Sequence, residues 1–155
     1  MIIAIDFDGT CVAHEFPKVG RNIGAQPVLK ELIANGHQLI LFTMRSDIVN
    51  PTGEDNELHL KSGNYLSDAL SWFKLYEIPL YGIQANPTQH TWTTSPKAYA
   101  QLYIDDAALG CPLLHGNFGE NGEGEYFDRP RVDWNAVREM LIGMDIILTH
   151  PKKKL

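Results

Sequence analysis

The chain is poor in cysteine, in positive charge and in long apolar runs. Its two cysteines, Cys11 and Cys111, stand far apart among 155 residues. They match neither a CxxC pair nor a zinc-ligand spacing, so free thiols are expected in place of a redox pair, a metal site or a disulfide framework. Lys and Arg number 13 against 19 Asp and Glu, a formal charge of −6. That deficit excludes a general nucleic-acid binder, whose affinity rests on a basic surface. No stretch approaches the roughly 18 apolar residues of a membrane span, and the start shows no secretory signature, so a cytoplasmic address is expected. Also missing are internal repeats, a GxGxxG fingerprint and a P-loop. With 44% hydrophobic residues, one globular domain over 1–150 is expected, followed by a basic tail at 151–155.

What the chain does have is a first stretch, Met-Ile-Ile-Ala-Ile-Asp-Phe-Asp-Gly-Thr, in which an apolar run ends abruptly in two acids. Met1 to Ile5 is too short for a capped helix and rich in β-branched residues, which predicts a strand buried on both faces. Side chains two apart on a strand share a face, so Asp6 and Asp8 project together if the extended geometry persists. Two like charges so placed need a cation, a proton or hydrogen-bond donors. The pair suits chemistry in which one carboxylate attacks and the other moves a proton, and it equally suits a turn or a helix cap. A calcium loop is excluded by spacing, because the glycine follows the second acid directly.

A loop over 11–26 would lie beside the acids. Pro27 then opens a helix with Val28, Leu29, Leu32 and Ile33 on one face, stopped at Asn35-Gly36. A second strand over 37–42 completes a βαβ unit. It ends in Thr43-Met44-Arg45, and ligands of open parallel sheets bind outside the carboxyl ends of strands. Thr43 and Arg45 are therefore candidate donors to an oxyanion, the alternatives being a turn hydroxyl and a solvated charge. Residues 47–63 read as a loop or short excursion, 65–76 as a helix and 81–84 as a third strand. Ser95-Pro96 looks like a helix start, which puts Lys97 in the first turn. Leu102-Tyr-Ile forms a fourth strand ending in a second acidic pair, Asp105-Asp106. The glycine-rich run from Gly110 to Glu125 is either an unstructured loop or a flap. Asp133 caps a final helix over 134–144, and Ile146 to Leu148 add a last apolar segment.

Taken together, Asp6, Asp8, Thr43, Lys97, Asp105 and Asp106 fall at one edge of one sheet. Hard carboxylate oxygens around one spot select a hard cation such as Mg²⁺, and a lysine with a hydroxyl adds donors for phosphate oxygens. In these motifs the chain resembles the haloacid dehalogenase-like (HAD) superfamily. Asp6-Phe-Asp-Gly-Thr10 matches its DxDG[TV] first motif, Leu39-Ile-Leu-Phe-Thr43 its second, Lys97 its third and Tyr103-Ile-Asp105-Asp106 its acidic fourth.

The resemblance implies a three-layer Rossmann-like α/β fold, a central and mainly parallel sheet flanked by helices. The short gaps between motifs imply no large cap domain. It further implies a Mg²⁺-dependent phosphatase hydrolysing a phosphomonoester through an aspartyl-phosphate. Asp6 would be the nucleophile and Asp8 the general acid. Asp6, the Asp8 carbonyl, Asp105 and Asp106 would hold Mg²⁺, Thr43 would bind the phosphoryl group, and Lys97 would act as a catalytic group that steadies both the nucleophile and the transferred charge. Arg45 and the Gly110 to Glu125 run are the candidates for leaving-group contacts. The substrate would be a nucleotide, a sugar phosphate or a polymer end, with a neighbouring subunit as a candidate lid. Two alternatives stay open, a phosphotransferase using the same intermediate and a non-catalytic Mg²⁺ or phosphate-binding module.

Overall fold

The computed structural model describes residues 1–48, 62–116 and 129–149. In chain order these form β1 (Ile2–Ile5), α1 (Ala25–Ala34), β2 (Gln38–Leu41), β3 (Asp47–Ile48), β4 (Gly63–Asn64), α2 (Tyr65–Leu75), β5 (Gly82–Ile83), β6 (Leu102–Ile104), β7 (Leu113–Leu114), β8 (Arg131–Val132) and α3 (Trp134–Gly143). The main sheet has the order β5-β2-β1-β6, and every pairing in it is parallel. It is thus an α/β fold in which β1 lies between two neighbours. That placement explains why Ile3, Ala4 and Ile5 are apolar on both faces, with at most 2% exposure.

Alternation sorts the two faces. Ile3, Ile5, Leu39, Leu41 and Ile104 turn to the side where α1, α2 and α3 pack, through Val28, Leu29 and Leu32 of α1, Ala69, Trp72 and Phe73 of α2, and Trp134, Val137 and Leu141 of α3. Phe7 extends this core past the end of β1, with its ring 5.7 Å from that of Trp72 in an edge-on contact. Ile146 and Ile147 are buried in the same cluster but form no strand. Pro27 stands in the first turn of α1, where a missing N–H costs nothing. The Asp133 carboxylate caps α3 by accepting from Asn135 N and Ala136 N.

The opposite face differs from expectation. No helix starts at Ser95; the segment 84–101 crosses that face as irregular chain with one 3₁₀ turn, Gln89–Thr91. Ser95 Oγ does accept from Lys97 N, at 3.2 Å, but the turn goes no further. Only four residues separate Lys97 from β6, and the buried Gln89 amide donates to the carbonyls of Ser95 and Lys97. Those carbonyls are thereby taken from any helical ladder. The segment lies tight on the sheet: a Cβ on Gly82 would meet the Ala85 carbonyl at 2.3 Å, and the Tyr103 hydroxyl donates to the Ala98 carbonyl.

Two short antiparallel pairs, β3 with β4 and β7 with β8, lie outside the main sheet. β7 falls inside the run from Gly110 for which the sequence leaves an unstructured loop or a flap. Its pairing to Arg131–Val132 is a long-range contact with no local signal. Residues 117–125 of that run, most of the excursion after β3 and the basic tail lie outside the described residues. Both cysteines are free. Among the described residues no helix is long and apolar enough to cross a membrane.

Candidate functional site

The parallel register of β1 and β6 builds the site. Ile5 is level with Ile104, and Asp6 N still donates to Ile104 O at 3.0 Å. Each strand then runs out into acid, so Asp6 meets Asp105 and Asp106 at the carboxyl edge of the sheet. One carboxylate oxygen from each of the three lies within 4.8 Å of the others.

A tight turn after β1 adds the next contacts. The Phe7 carbonyl accepts from the amides of Thr10, Cys11 and Val12, and Gly9 N donates to Val12 O at 2.7 Å. Gly9 has φ +82°, and a Cβ there would sit 2.2 Å from His14 Nε2 and 2.7 Å from Asp106 Oδ2. Only glycine fits this backbone and this space. The turn buries Thr10, whose hydroxyl lies 3.5 Å from Asp6 Oδ2 and 3.4 Å from Asp106 Oδ1 and accepts from Asp106 N at 3.0 Å. One hydroxyl therefore bridges the two acidic strand ends. The turn is anchored from behind, because Trp134 Nε1 donates to Thr10 O at 2.7 Å and Val132 N to Gly9 O at 2.8 Å.

Asp8 faces a different partner. Arg45 Nε donates to Asp8 Oδ2 at 2.6 Å and Nη2 to Asp8 Oδ1 at 2.7 Å, a two-point fork. Arg45, read from sequence as a candidate ligand contact or a solvated charge, is only 2% exposed. Its guanidinium also donates to the carbonyls of Pro17, Lys18 and Tyr65. It lies 5.1 Å from the centroid of the Phe7 ring and 5.2 Å from that of Phe16.

Thr43 stands just past β2. Gln84 holds this stretch by accepting from Thr43 N and donating to the carbonyls of Thr43 and Arg45. Thr43 Oγ1 accepts from Arg45 N at 3.2 Å. Lys97 is exposed, with Nζ 5.3 Å from the Tyr103 ring centroid, and it is not among the hydrogen-bonded partners of the three acids.

Charge in this cluster is one-sided. Burial pushes the Asp6 carboxyl up from 3.8 to about 7; the Phe7 amide opposes the rise, and the negative charges of Asp105, Asp106 and Asp8 add to it. The buried Cys11 thiol is raised by burial first and then by Asp6 and Asp8, which keeps it protonated and unreactive. Three carboxylates gathered so closely, with the charges of Asp105 and Asp106 adding to the rise at Asp6, suit a hard divalent cation, which reverses that balance.

Of the residues expected from sequence, the fold thus brings Asp6, Asp105 and Asp106 together. It joins Asp8 to Arg45, sets Thr43 beside them on the next strand, and leaves Lys97 against Tyr103. Thr10 belongs to the first motif but had no role assigned. His14, with Nε2 2.9 Å from Asp106 Oδ2, and Gln84 were missed, for neither sits in a periodic or motif-like pattern.

No family model matches the chain, and no curated protein matches it. Among solved structures the chain is similar to a conserved protein from Bacteroides thetaiotaomicron, at 29% identity over 93% of this chain and 91% of that one, with a TM-score of 0.64.

Proposed function

We propose that this chain is a HAD-like phosphatase that hydrolyses a phosphomonoester in the presence of Mg²⁺ through an aspartyl-phosphate on Asp6. The observation that carries the reading is the meeting of Asp6, at the head of a DxDGT turn, with Asp105 and Asp106 from the next parallel strand. On this reading the architecture is the three-layer Rossmann-like one, with the segment 84–101 standing where a helical layer would be.

Held by Asp6, Asp105, Asp106 and the Asp8 carbonyl, Mg²⁺ would cancel the repulsion between an attacking carboxylate and an anionic phosphate. An Asp6 oxygen forms a bond to phosphorus as the bond to the leaving oxygen breaks. Asp8, once it has taken up a proton on one of the two oxygens that the Arg45 fork otherwise holds, gives that proton to the leaving oxygen, and the alcohol departs. Asp8 then takes a proton from water as the water oxygen attacks phosphorus, which releases inorganic phosphate and restores Asp6. Thr43 keeps its hydroxyl proton for a phosphoryl oxygen, since Oγ1 is an acceptor towards Arg45 N. Lys97 is assigned the transferred negative charge. The substrate is a phosphorylated nucleotide, sugar or polymer end in the cytoplasm, bound at a site with no large cap of its own, and a second subunit could serve as its lid.

A panel of phosphorylated metabolites, nucleotides and glycan ends, assayed for inorganic phosphate with Mg²⁺, tests this. Phosphate release that stops with chelator and returns with Mg²⁺ is the expected result. Phosphorylated acceptor without free phosphate would make the chain a phosphotransferase, and no turnover of any substrate would sink the enzymatic reading.

A further inference from the structure

Asp8 lies two residues from Asp6 but is not one of the three carboxylates within mutual reach of one cation. Both of its oxygens are held by the buried Arg45 fork, at 2.6 and 2.7 Å. Arg45 in turn is fixed by three main-chain carbonyls from two different segments and by the rings of Phe7 and Phe16. Its own backbone is clamped by Gln84 and Thr43. A guanidinium so fully engaged has little left for a diffusing ligand. Its geometry instead dictates where the Asp8 carboxylate stands.

We propose that Arg45 is a positioning residue which holds the Asp8 carboxylate apart from the Asp6, Asp105 and Asp106 cluster. The cluster is thereby left to the cation, and Asp8 to the proton of the leaving group. The division of labour follows from charge and reach. Without the fork, a fourth carboxylate is free to turn toward three others around a cation, and the same substitution removes one positive charge from the neighbourhood. Both changes strengthen cation binding while taking the proton donor from its place. A merely structural arginine would produce the opposite pairing, with cation binding and turnover weakening together. The consequence for turnover rests on the phosphoryl-transfer reading; the consequence for cation binding does not.

The test compares wild type, Arg45→Lys, Arg45→Gln, Asp8→Asn and the double Arg45→Gln/Asp8→Asn variant, each checked for folding by circular dichroism. Mn²⁺ affinity is measured by titration, and kcat and KM are measured on phenyl phosphate and p-nitrophenyl phosphate. Arg45→Gln is expected to bind Mn²⁺ about fivefold more tightly, with the tightening lost in the double variant. Its kcat is expected to fall about a hundredfold on phenyl phosphate but only about tenfold on p-nitrophenyl phosphate, whose leaving group needs no proton, with KM within about twofold. Arg45→Lys, which keeps the charge but not the fork, should tighten Mn²⁺ binding by less than Arg45→Gln does and show an intermediate loss on phenyl phosphate. A folded Arg45→Gln that binds Mn²⁺ no better than wild type, or loses both substrates equally, overturns the proposal. If Arg45→Gln does not fold, a wild-type ratio of the two substrates in Arg45→Lys overturns it instead. Should wild type turn over neither substrate, the phosphatase reading fails, and the Mn²⁺ comparison still decides the place of Asp8.

Discussion

His14 Nε2 lies 2.9 Å from Asp106 Oδ2, which joins the loop after β1 to the end of β6 across the sheet edge. The imidazole is 14% exposed, and it donates to a carboxylate that Thr10 also touches. Asp106 is therefore oriented from two sides before any ligand arrives. On the proposed reading of Asp106 as a metal ligand, such an outer partner contributes about tenfold to a hundredfold in metal affinity. His14→Ala should weaken Mn²⁺ binding by about that factor, and His14→Gln, which keeps a donor, by less. Isothermal titration measures both. Equal affinity in all three proteins would remove His14 from the site.

Asp6 makes stability depend on pH in a direction that can be worked out. Its carboxyl, raised from 3.8 to about 7, keeps a proton in the folded chain across a window where the unfolded chain has lost it. The folded state then binds more protons than the unfolded state, so stability falls as pH rises from about 4 to about 7 and stays lower above. Asp6→Asn removes that slope. Without metal at pH 8 the variant should melt above wild type, while releasing no phosphate from any substrate. Mg²⁺ should raise the melting temperature of wild type at pH 8 and that of the variant much less. A wild-type minus variant difference that does not change between pH 4 and pH 8 would contradict this.

Trp134 secures the turn after β1 from the far side. Its indole N–H donates to Thr10 O, and the side chain is 3% exposed. Trp134→Phe keeps most of the ring but leaves that carbonyl without its buried partner, a loss of about 1–3 kcal/mol. Urea denaturation would measure the decrease, and turnover should drop with it because Thr10 bridges Asp6 and Asp106. Unchanged stability would mean that the carbonyl finds another donor.

The local signals that could be read in advance were those carried by neighbours in the chain. Val28, Leu29 and Leu32 share a face at helical spacing, and α1 forms there. Asp133 precedes an amphipathic run, and it caps α3. The helix expected at Ser95 failed because its cue was local and its competitor was not. Gln89, six residues upstream, takes the carbonyls that a helix would have used. β7 escaped notice because its partner lies beyond the glycine-rich run.

By itself the sequence determined which acids end strands and that those strands are apolar enough to be buried in a parallel sheet, because burial and alternation are written in adjacent residues. Only the tertiary structure decided which carboxylates come within mutual reach and which does not. Asp6 and Asp8 are two apart in sequence, yet Asp6 joins Asp105 and Asp106 while Asp8 goes to Arg45. The reason is physical: charges as closely placed as these are sorted by the partners that folding brings within about 3 Å of them, and those partners come from distant parts of the chain.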